Sequence, residues 1–172
     1  MNSFMKQIIK IWPFYVAALI IVLIDQWTKG LATEHLVYGQ PVEITWFFDL
    51  RLVWNYGAAF SFLSDAGGWQ RWFFLSISAV VSLVIAFWWL PTQNRMLSYT
   101  GMTLVLAGAV GNLWDRALLG YVIDFISVHY EASYFPAFNI ADSAISVGAV
   151  ALAIDWLILE PKDSDSKAGE RT

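Results

Sequence analysis

The sequence predicts a mainly α-helical membrane protein with four transmembrane helices, a small extracytoplasmic β-structure and a short interfacial amphipathic helix. Three observations predict this class: the composition, four long apolar segments, and one outer segment in which apolar and polar residues alternate. Of the 172 residues, 58% are hydrophobic and 14% are charged, whereas soluble domains carry about 25% charged residues. Aromatic residues make up 17%, which suits belts at both membrane interfaces.

Four segments are apolar over about the 20 residues that a spanning helix needs. They cover residues 12–31, 69–90, 97–117 and 138–159. The first resembles a secretory signal, but no small-x-small cleavage site follows it and the helical pattern continues into "DQWTKG". We therefore expect this helix to be retained. Residues 1–172 are expected to form one domain, with a disordered tail at 162–172.

Basic residues orient these spans, because loops on the cytoplasmic side of a membrane are enriched in Lys and Arg. One side carries Lys6, Lys10, Arg95, Lys162, Lys167 and Arg171. The other side has Arg51 as a loop base, with Lys29, Arg71 and Arg116 at helix ends. The sequence therefore predicts that both termini are cytoplasmic.

The outer segment at residues 41–68 is predicted to hold short strands and the interfacial helix. Val42, Ile44 and Trp46 alternate with polar residues, which is typical of a strand with two different faces. The stretch "AAFSFLSDAGGW" that follows is typical of a short amphipathic element at the interface, closed by two glycines.

Several ionisable residues near the span ends have structural interpretations. Asp25 and Lys29 are four residues apart, a spacing that places opposite charges on one helical face. Asp115 and Arg116, at the outer end of the third span, are predicted to organise the outer loops. Asp155 is predicted to reach the cytoplasmic interface with its carboxylate.

Neither Asp124 nor Asp142 has a Lys or Arg within four positions, so the sequence offers no local partner that would neutralise either carboxylate. Asp124 lies in an extended run after the third span, and Asp142 lies in the first turn of the fourth. Both are therefore placed at the outer interface. Two carboxyls facing each other in a poorly hydrated site cannot both ionise easily, so one keeps a proton while the other can act as a base.

That pairing is what an aspartyl hydrolase needs, although the residues alone leave alternatives open. The two carboxyls could instead form a proton or cation site in a small transporter or channel subunit, or a structural polar cluster in a membrane scaffold. A conduction path needs polar residues through the membrane depth, and here they concentrate at the outer edge.

Other chemistries are disfavoured. The chain has no cysteine, two histidines and no HExxH motif, so a metal site is not expected. Ser143 has neither a histidine partner nor a GxSxG elbow and is interpreted as a helix-packing serine. Small residues that allow close helix contact are predicted at Gly101, Gly108, Gly111 and Gly148.

Five short motifs occur in order along the chain. They are "DQWTK" (25–29), "NYGAAF" (55–60), "GNLWDR" (111–116), "VIDF" (122–125) and "FNIADS" (138–143). In this order, across four spans, the sequence resembles the lipoprotein signal peptidase family, also called signal peptidase II, of the bacterial cytoplasmic membrane. The resemblance implies four transmembrane helices with an outer β-cradle and an interfacial helix, and an aspartyl endopeptidase that uses no metal or other cofactor.

The resemblance also implies roles for individual residues. Asp124 and Asp142 match the catalytic pair of the family. Positions that bind substrate or orient the pair are matched by Asn55, Gly57, Asn112, Arg116 and Asn139. Supporting positions are matched by Asp25, Lys29, Asp115 and Ser143.

The implied substrate is a diacylglyceryl-modified prolipoprotein, cleaved on the amino side of the lipid-modified cysteine at the outer face of the membrane. Because the lipid holds the scissile bond at the interface, much orientational entropy is lost before the reaction. The implied partners are therefore this substrate, membrane lipid and globomycin-type cyclic peptide inhibitors. No nucleic-acid partner is expected, and the chain is expected to be a monomer.

Overall fold

The computed structural model describes residues 3–57, 68–89 and 95–159, which contain four long helices and a small antiparallel sheet. In chain order the elements are α1 (Ser3–His35), β1 (Pro41–Thr45), β2 (Phe48–Asn55), α2 (Trp69–Val84), α3 (Met96–Leu118), β3 (Val122–Tyr130), β4 (Ser133–Tyr134) and α4 (Ile140–Ile154). Beyond α2 and α4 the helices continue with wider π-helical turns, at Ile85–Trp89 and Asp155–Leu159.

Each of the four helices is long and apolar enough to cross a membrane, which confirms the four predicted spans. The stretches that meet this criterion are Ile9–His35, Trp69–Trp89, Met96–Leu118 and Ile140–Leu157. The fourth helix begins at Ile140 rather than at the predicted residue 138. Phe138 instead exchanges backbone hydrogen bonds of 2.9 and 3.0 Å with Ile126 of β3, so it belongs to the sheet side of the junction.

Helix α3 is the central helix of the bundle. Within its apolar window 61% of the residues are buried, against 11%, 11% and 17% in the other three spans. Its small residues allow α4 to approach closely. A Cβ added at Gly108 would overlap the carbonyl oxygen of Ala141, and one at Gly148 would lie 2.7 Å from the carbonyl oxygen of Gly101. The prediction that these glycines are packing positions is confirmed.

The sheet has the strand order β1-β2-β3-β4, with antiparallel neighbours. The short strands predicted within residues 41–68 are confirmed as β1 and β2, and the predicted extended run around Asp124 is part of β3. At nine residues β3 is longer than predicted. An irregularity between Leu50 and Val53 shifts the register, so that Val53 pairs with Asp124 and Asn55 with Val122. The end of β2 is thereby brought beside the start of β3.

The structural interpretation of Asp155 is confirmed, and its position relative to the cytoplasmic interface stays a prediction. Asp155 is buried and accepts hydrogen bonds from Arg95, 3.3 Å away, and from the hydroxyl of Ser98. Arg95 also donates to the carbonyl oxygen of Asp155 at 3.1 Å. The carboxylate is satisfied inside the protein because α3 begins directly beside it. The ion pair between Arg95 and Asp155 therefore joins the start of α3 to the end of α4.

Two further predictions fall on parts of the chain outside the described residues. The interfacial amphipathic helix lies almost wholly in residues 58–67, and the polar tail lies at 162–172. Both stay predictions.

Replacing Gly108 with alanine is expected to destabilise the protein, because the new methyl group would overlap the Ala141 carbonyl and force α3 and α4 apart. Overpacking of this kind costs about 1–3 kcal/mol of unfolding free energy. Gly30→Ala is the matched control, since nothing lies within 4 Å of a Cβ at Gly30, and alanine favours a helix over glycine by up to about 1 kcal/mol. Thermal unfolding in detergent measures both, and equal stability of the two variants would contradict the packing role.

Candidate active site

Asp124 and Asp142 are brought together at the junction of α3, β3 and α4. The chain leaves α3 through Gly120, whose φ of 88° lies in the left-handed region that glycine adopts without strain. It then enters β3, where Asp124 is the third residue. After β4 the chain returns to the same junction and begins α4, where Asp142 is again the third residue. Sequence-distant carboxyls therefore meet because both elements start at the end of α3.

Asn139 joins the two carboxyl groups. Its side-chain Nδ2 donates to Asp124 Oδ1 at 2.7 Å, and its Oδ1 accepts from the backbone N of Asp142 at 2.8 Å. The backbone N of Asn139 in turn donates to Asp142 Oδ2 at 3.3 Å, which completes a capping box at the start of α4. Asn139 is completely buried. One residue thus begins the helix and also links both aspartates.

Two more asparagines complete the hydrogen bonding of the pair. Asn55, at the end of β2, donates to Asp124 Oδ2 at 3.0 Å. Asn112 of α3 donates to Asp142 Oδ1 at 2.7 Å. Each carboxyl group therefore accepts two N–H groups, one on each oxygen. Amide donors fix the orientation of a carboxyl group without neutralising it.

A buried ionic cluster lies behind the pair. The ammonium of Lys29 is 2.7 Å from Asp25 Oδ2 and 2.8 Å from Asp115 Oδ2. The predicted pairing of Asp25 with Lys29 is confirmed, and Asp115 is an additional partner. Asp115 also accepts from the backbone N of Ile123 at 3.2 Å. The cluster thus ties α1 and α3 to the strand that carries Asp124.

Arg116 and Gly57 form the opposite wall. Arg116 donates through one terminal nitrogen to the carbonyl oxygen of Gly57 at 3.0 Å, and its guanidinium lies 5.5 Å from the ring centre of Phe74. The backbone N of Gly57 donates to Asn55 Oδ1 at 3.0 Å. The buried Nε of Arg116 has no hydrogen-bond partner within the described part of the chain. Asn55 and Arg116 are therefore coupled through the Gly57 backbone.

A mainly apolar cavity of about 680 Å³ lies between α2, α3 and α4 and reaches this polar wall. Its apolar lining includes Phe74, Ile77, Val81, Val105, Ala109 and Ile145. Its polar lining includes Asn55, Asn112, Arg116 and Asp142. Asp124 is 1% exposed and lies behind this wall. The cavity can therefore hold an extended apolar ligand with a polar backbone group placed at Asp142.

The environment of Asp124 favours a protonated carboxyl. Burial, and then the neighbouring charge of Asp142, raise the pKa of Asp124 from its ordinary value to about 7. Hydrogen bonds from Asn55 and Asn139, and the charge of Lys29, oppose this rise. A carboxyl group that titrates near neutral pH can donate a proton in one step and accept it in another.

The structure places every predicted site residue within or beside this junction. The hydroxyl of Ser143 donates to the carbonyl oxygen of Asn139 at 2.9 Å, a contact within the first turn of α4. Gln26 was missed, although it lies inside the "DQWTK" motif: it donates to Asp115 Oδ1 at 2.9 Å and to the carbonyl oxygen of Gly111 at 3.2 Å. No group of three or more His, Cys, Asp or Glu side chains suited to a metal ion occurs among the residues described.

Comparisons with known proteins show matches over most of this chain. The family model described as signal peptidase (SPase) II matches residues 17–158. The chain is 52% identical over 149 residues to a lipoprotein signal peptidase of Acinetobacter baumannii, covering 84% of this chain and 85% of that one. It is 53% identical over 146 residues to that of Teredinibacter turnerae, covering 84% and 86%. A solved bacterial membrane enzyme superposes with a TM-score of 0.77 at 29% identity, covering 94% of this chain and 95% of the other.

The raised pKa of Asp124 predicts a pH-dependent cost to stability. Between about pH 4 and pH 7 the folded protein keeps a proton that the unfolded chain releases, so the free energy of unfolding falls as the pH rises through this range. Asp124→Asn removes that dependence. Relative to the parent, we expect the variant to gain a few kcal/mol of stability between pH 5 and pH 8, at about 1.4 kcal/mol per pH unit. Denaturant unfolding at the two pH values measures this, and a pH-independent difference would contradict it.

Proposed function

The chain belongs to the signal peptidase II family, and we propose that Asp124 and Asp142 are the catalytic pair with which it cleaves its substrate. It is an aspartic endopeptidase that removes signal peptides from prolipoproteins. The observation that carries the assignment of the pair is the double contact of Asn139, which holds the carboxyl of Asp124 and the backbone and carboxyl of Asp142 beside one cavity.

The surroundings of the two aspartates favour different roles. Asp124 has a pKa of about 7 and only amide partners, so a large fraction of the protein carries a proton on Asp124 at neutral pH and can donate it to the scissile carbonyl. Asp142 faces the cavity, is the third residue of α4, and experiences the positive charges of Lys29 and Arg116. Negative charge is stabilised near a helix N-terminus. Asp142 is therefore the base.

The reaction then follows in two steps that conserve protons. Asp142 takes a proton from water as the water oxygen bonds to the scissile carbonyl carbon, and Asp124 gives its proton to the carbonyl oxygen. In the second step Asp142 gives its proton to the leaving nitrogen as the carbon–nitrogen bond breaks. Asp124 recovers its proton from the intermediate's hydroxyl as the carbonyl forms again. The pair is thereby restored.

The polar wall and the cavity suit the two parts of the substrate. The apolar cavity between α2, α3 and α4 accepts the apolar signal segment, while Asn55, Gly57 and Arg116 face the peptide backbone. The Nε of Arg116, which has no hydrogen-bond partner among the described residues, is a donor for a substrate carbonyl. Asp124 lies behind the wall, so substrate entry has to open the contacts in front of it. Catalytic hydrogen bonds often tighten only when substrate is bound.

We further propose that the substrate carries a diacylglyceryl-modified cysteine and that cleavage occurs on its amino side. The lipid would confine the scissile bond to the interface. The positions of Asp124 and Asp142 at the starts of β3 and α4, beside the ends of apolar helices, support the same depth for the pair. A globomycin-type cyclic peptide is expected to occupy the same cavity and block the pair. The transporter alternative has no support, because the matched relatives are peptidases.

The membrane assignment beyond a multi-span protein is also a proposal. The distribution of Lys and Arg supports the bacterial cytoplasmic membrane with both termini in the cytoplasm and the site at the outer face. A monomer is supported by the site itself, whose hydrogen bonds and ion pairs come from the helices and strands of one chain.

Asp124→Asn and Asp142→Asn are each expected to lower kcat for cleavage of a lipid-modified prolipoprotein on the order of 10²–10⁴-fold, the usual contribution of a general acid or base. Asp155→Asn is the matched control, because it replaces another buried carboxylate that binds Arg95 and Ser98 instead. It should keep near-parental kcat. Cleavage by purified protein in detergent, with and without chelator, measures this. Full activity in a folded Asp124 or Asp142 variant would show that the pair is misassigned.

The pH profile of the parent is expected to be bell-shaped, with activity lost on the alkaline side as Asp124 gives up its proton near pH 7. Asn55→Ala removes a hydrogen bond that holds this pKa down. The alkaline limb of kcat should therefore move to higher pH in the variant, even if KM also changes. A limb that stays in place or moves to lower pH would contradict the assignment of Asp124 as the acid.

A further inference from the structure

Lys29 does not line the cavity, but it contacts Asn112, the residue that donates a hydrogen bond to the carboxyl of Asp142. Its side chain is 2% exposed, and its ammonium contacts Asp25 Oδ2 at 2.7 Å, Asp115 Oδ2 at 2.8 Å and Asn112 Oδ1 at 3.1 Å. An ammonium has three N–H donors and no acceptor. These three contacts therefore account for all of its hydrogen-bonding capacity.

The hydrogen bond from Lys29 determines the orientation of the Asn112 side-chain amide. Asn112 Oδ1 accepts from Lys29 and, at 3.3 Å, from Asn139 Nδ2. Rotating the amide by half a turn would point its NH₂ group at a buried cation and at another NH₂ group, and would point its oxygen at Asp142. Such an arrangement leaves buried donors unsatisfied, which costs free energy. The NH₂ group of Asn112 is therefore held toward Asp142, 2.7 Å away.

The ionic cluster of Asp25, Lys29 and Asp115 has a second connection to Asp142, through the backbone. Asp25 Oδ1 accepts the backbone N of Ala141 at 2.8 Å, one residue before Asp142. Asp25 is held by its ion pair with Lys29. The outer end of α1 thus controls both the amide that binds the Asp142 carboxyl and the backbone that carries it.

We propose that Lys29 is a positioning residue for peptide cleavage, which orients the carboxyl of Asp142 through the amide of Asn112. The inference rests on the proposed role of Asp142 as the base. It gives α1 a part in the reaction, although neither aspartate of the pair lies on this helix.

The electrostatic surroundings of the pair include groups from several elements. The charged groups around Asp124 and Asp142 are Lys29 and Asp25 of α1, and Asp115 and Arg116 of α3. Among these, Lys29 opposes the rise in the Asp124 pKa. Removing Lys29 should therefore also move the alkaline limb of the pH profile upward.

The test uses charge-balanced double variants, because Lys29→Met alone would leave two buried carboxylates without their cation. Asp25→Asn/Lys29→Met removes one positive and one negative charge. The amide oxygen introduced at position 25 can still accept the backbone N–H of Ala141. Lys29→Met/Asp115→Asn removes the same cation with its other partner. Arg95→Met/Asp155→Asn is the matched control, since it removes a partly buried ion pair that contacts neither aspartate.

For a folded Lys29 double variant we expect kcat to fall roughly 10- to 100-fold, the effect typical of a lost supporting contact around a reactive group, with KM within about threefold of the parent. The alkaline limb should move to higher pH. The control should change stability and leave kcat and the pH profile as in the parent. Cleavage kinetics across pH, together with unfolding measurements, report all of these quantities.

The outcomes separate this inference from the proposed function. If the parent chain does not cleave a lipid-modified prolipoprotein, the proposed function fails first. If the parent cleaves and a folded Lys29 double variant keeps parental kcat and pH profile, the positioning role is overturned. Failure of both double variants to fold, while the control folds, would also overturn it, because it would assign Lys29 to stability alone.

Discussion

The close approach of α3 and α4 is the constraint on which the rest of the site depends. The helices meet where Gly108 leaves room for the backbone of Ala141. One turn further along α3, Asn112 is near enough to bind the side chain of the next residue, Asp142. A larger residue at Gly108 would separate the two helices, and the hydrogen bond at 2.7 Å would lengthen. Helix packing and the orientation of the Asp142 carboxyl, the proposed base, are thus set by the same contact.

The site also shows how a membrane protein keeps several carboxyl groups in a poorly hydrated place. Asp25 and Asp115 share one lysine, whereas Asp124 and Asp142 have amide partners and no direct ion pair among the contacts of the described residues. Direct neutralisation would leave a carboxylate too weak a base to take a proton from water. The ionic cluster therefore holds the framework, and the amide-bound pair remains free to exchange protons.

Much of this could be predicted from the sequence, since apolar length defines the four spans, and Asp124 and Asp142, which have no local base, follow the third span and begin the fourth. What could not be predicted depends on contacts between distant segments. The burial of Asp155 against Arg95 depends on how α3 and α4 align, and the extent of β3 depends on its pairing with β2. The role of Gln26 likewise depends on the face of α1 that meets α3. Local pattern carries no information about such pairings.

Asn139 makes two sets of contacts, at the start of α4 and to Asp124, and this limits how resistance to inhibitors could arise. Asn139 caps α4 and binds Asp124, so a substitution there would disturb both the start of the helix and the hydrogen bonding of the proposed catalytic pair. An inhibitor that contacts Asn139 and Asp142 therefore binds residues that cannot be substituted without loss of function. Escape would have to come from the apolar side of the cavity, at residues such as Ile77, Val81 and Ile145, whose volume can vary without a change in chemistry.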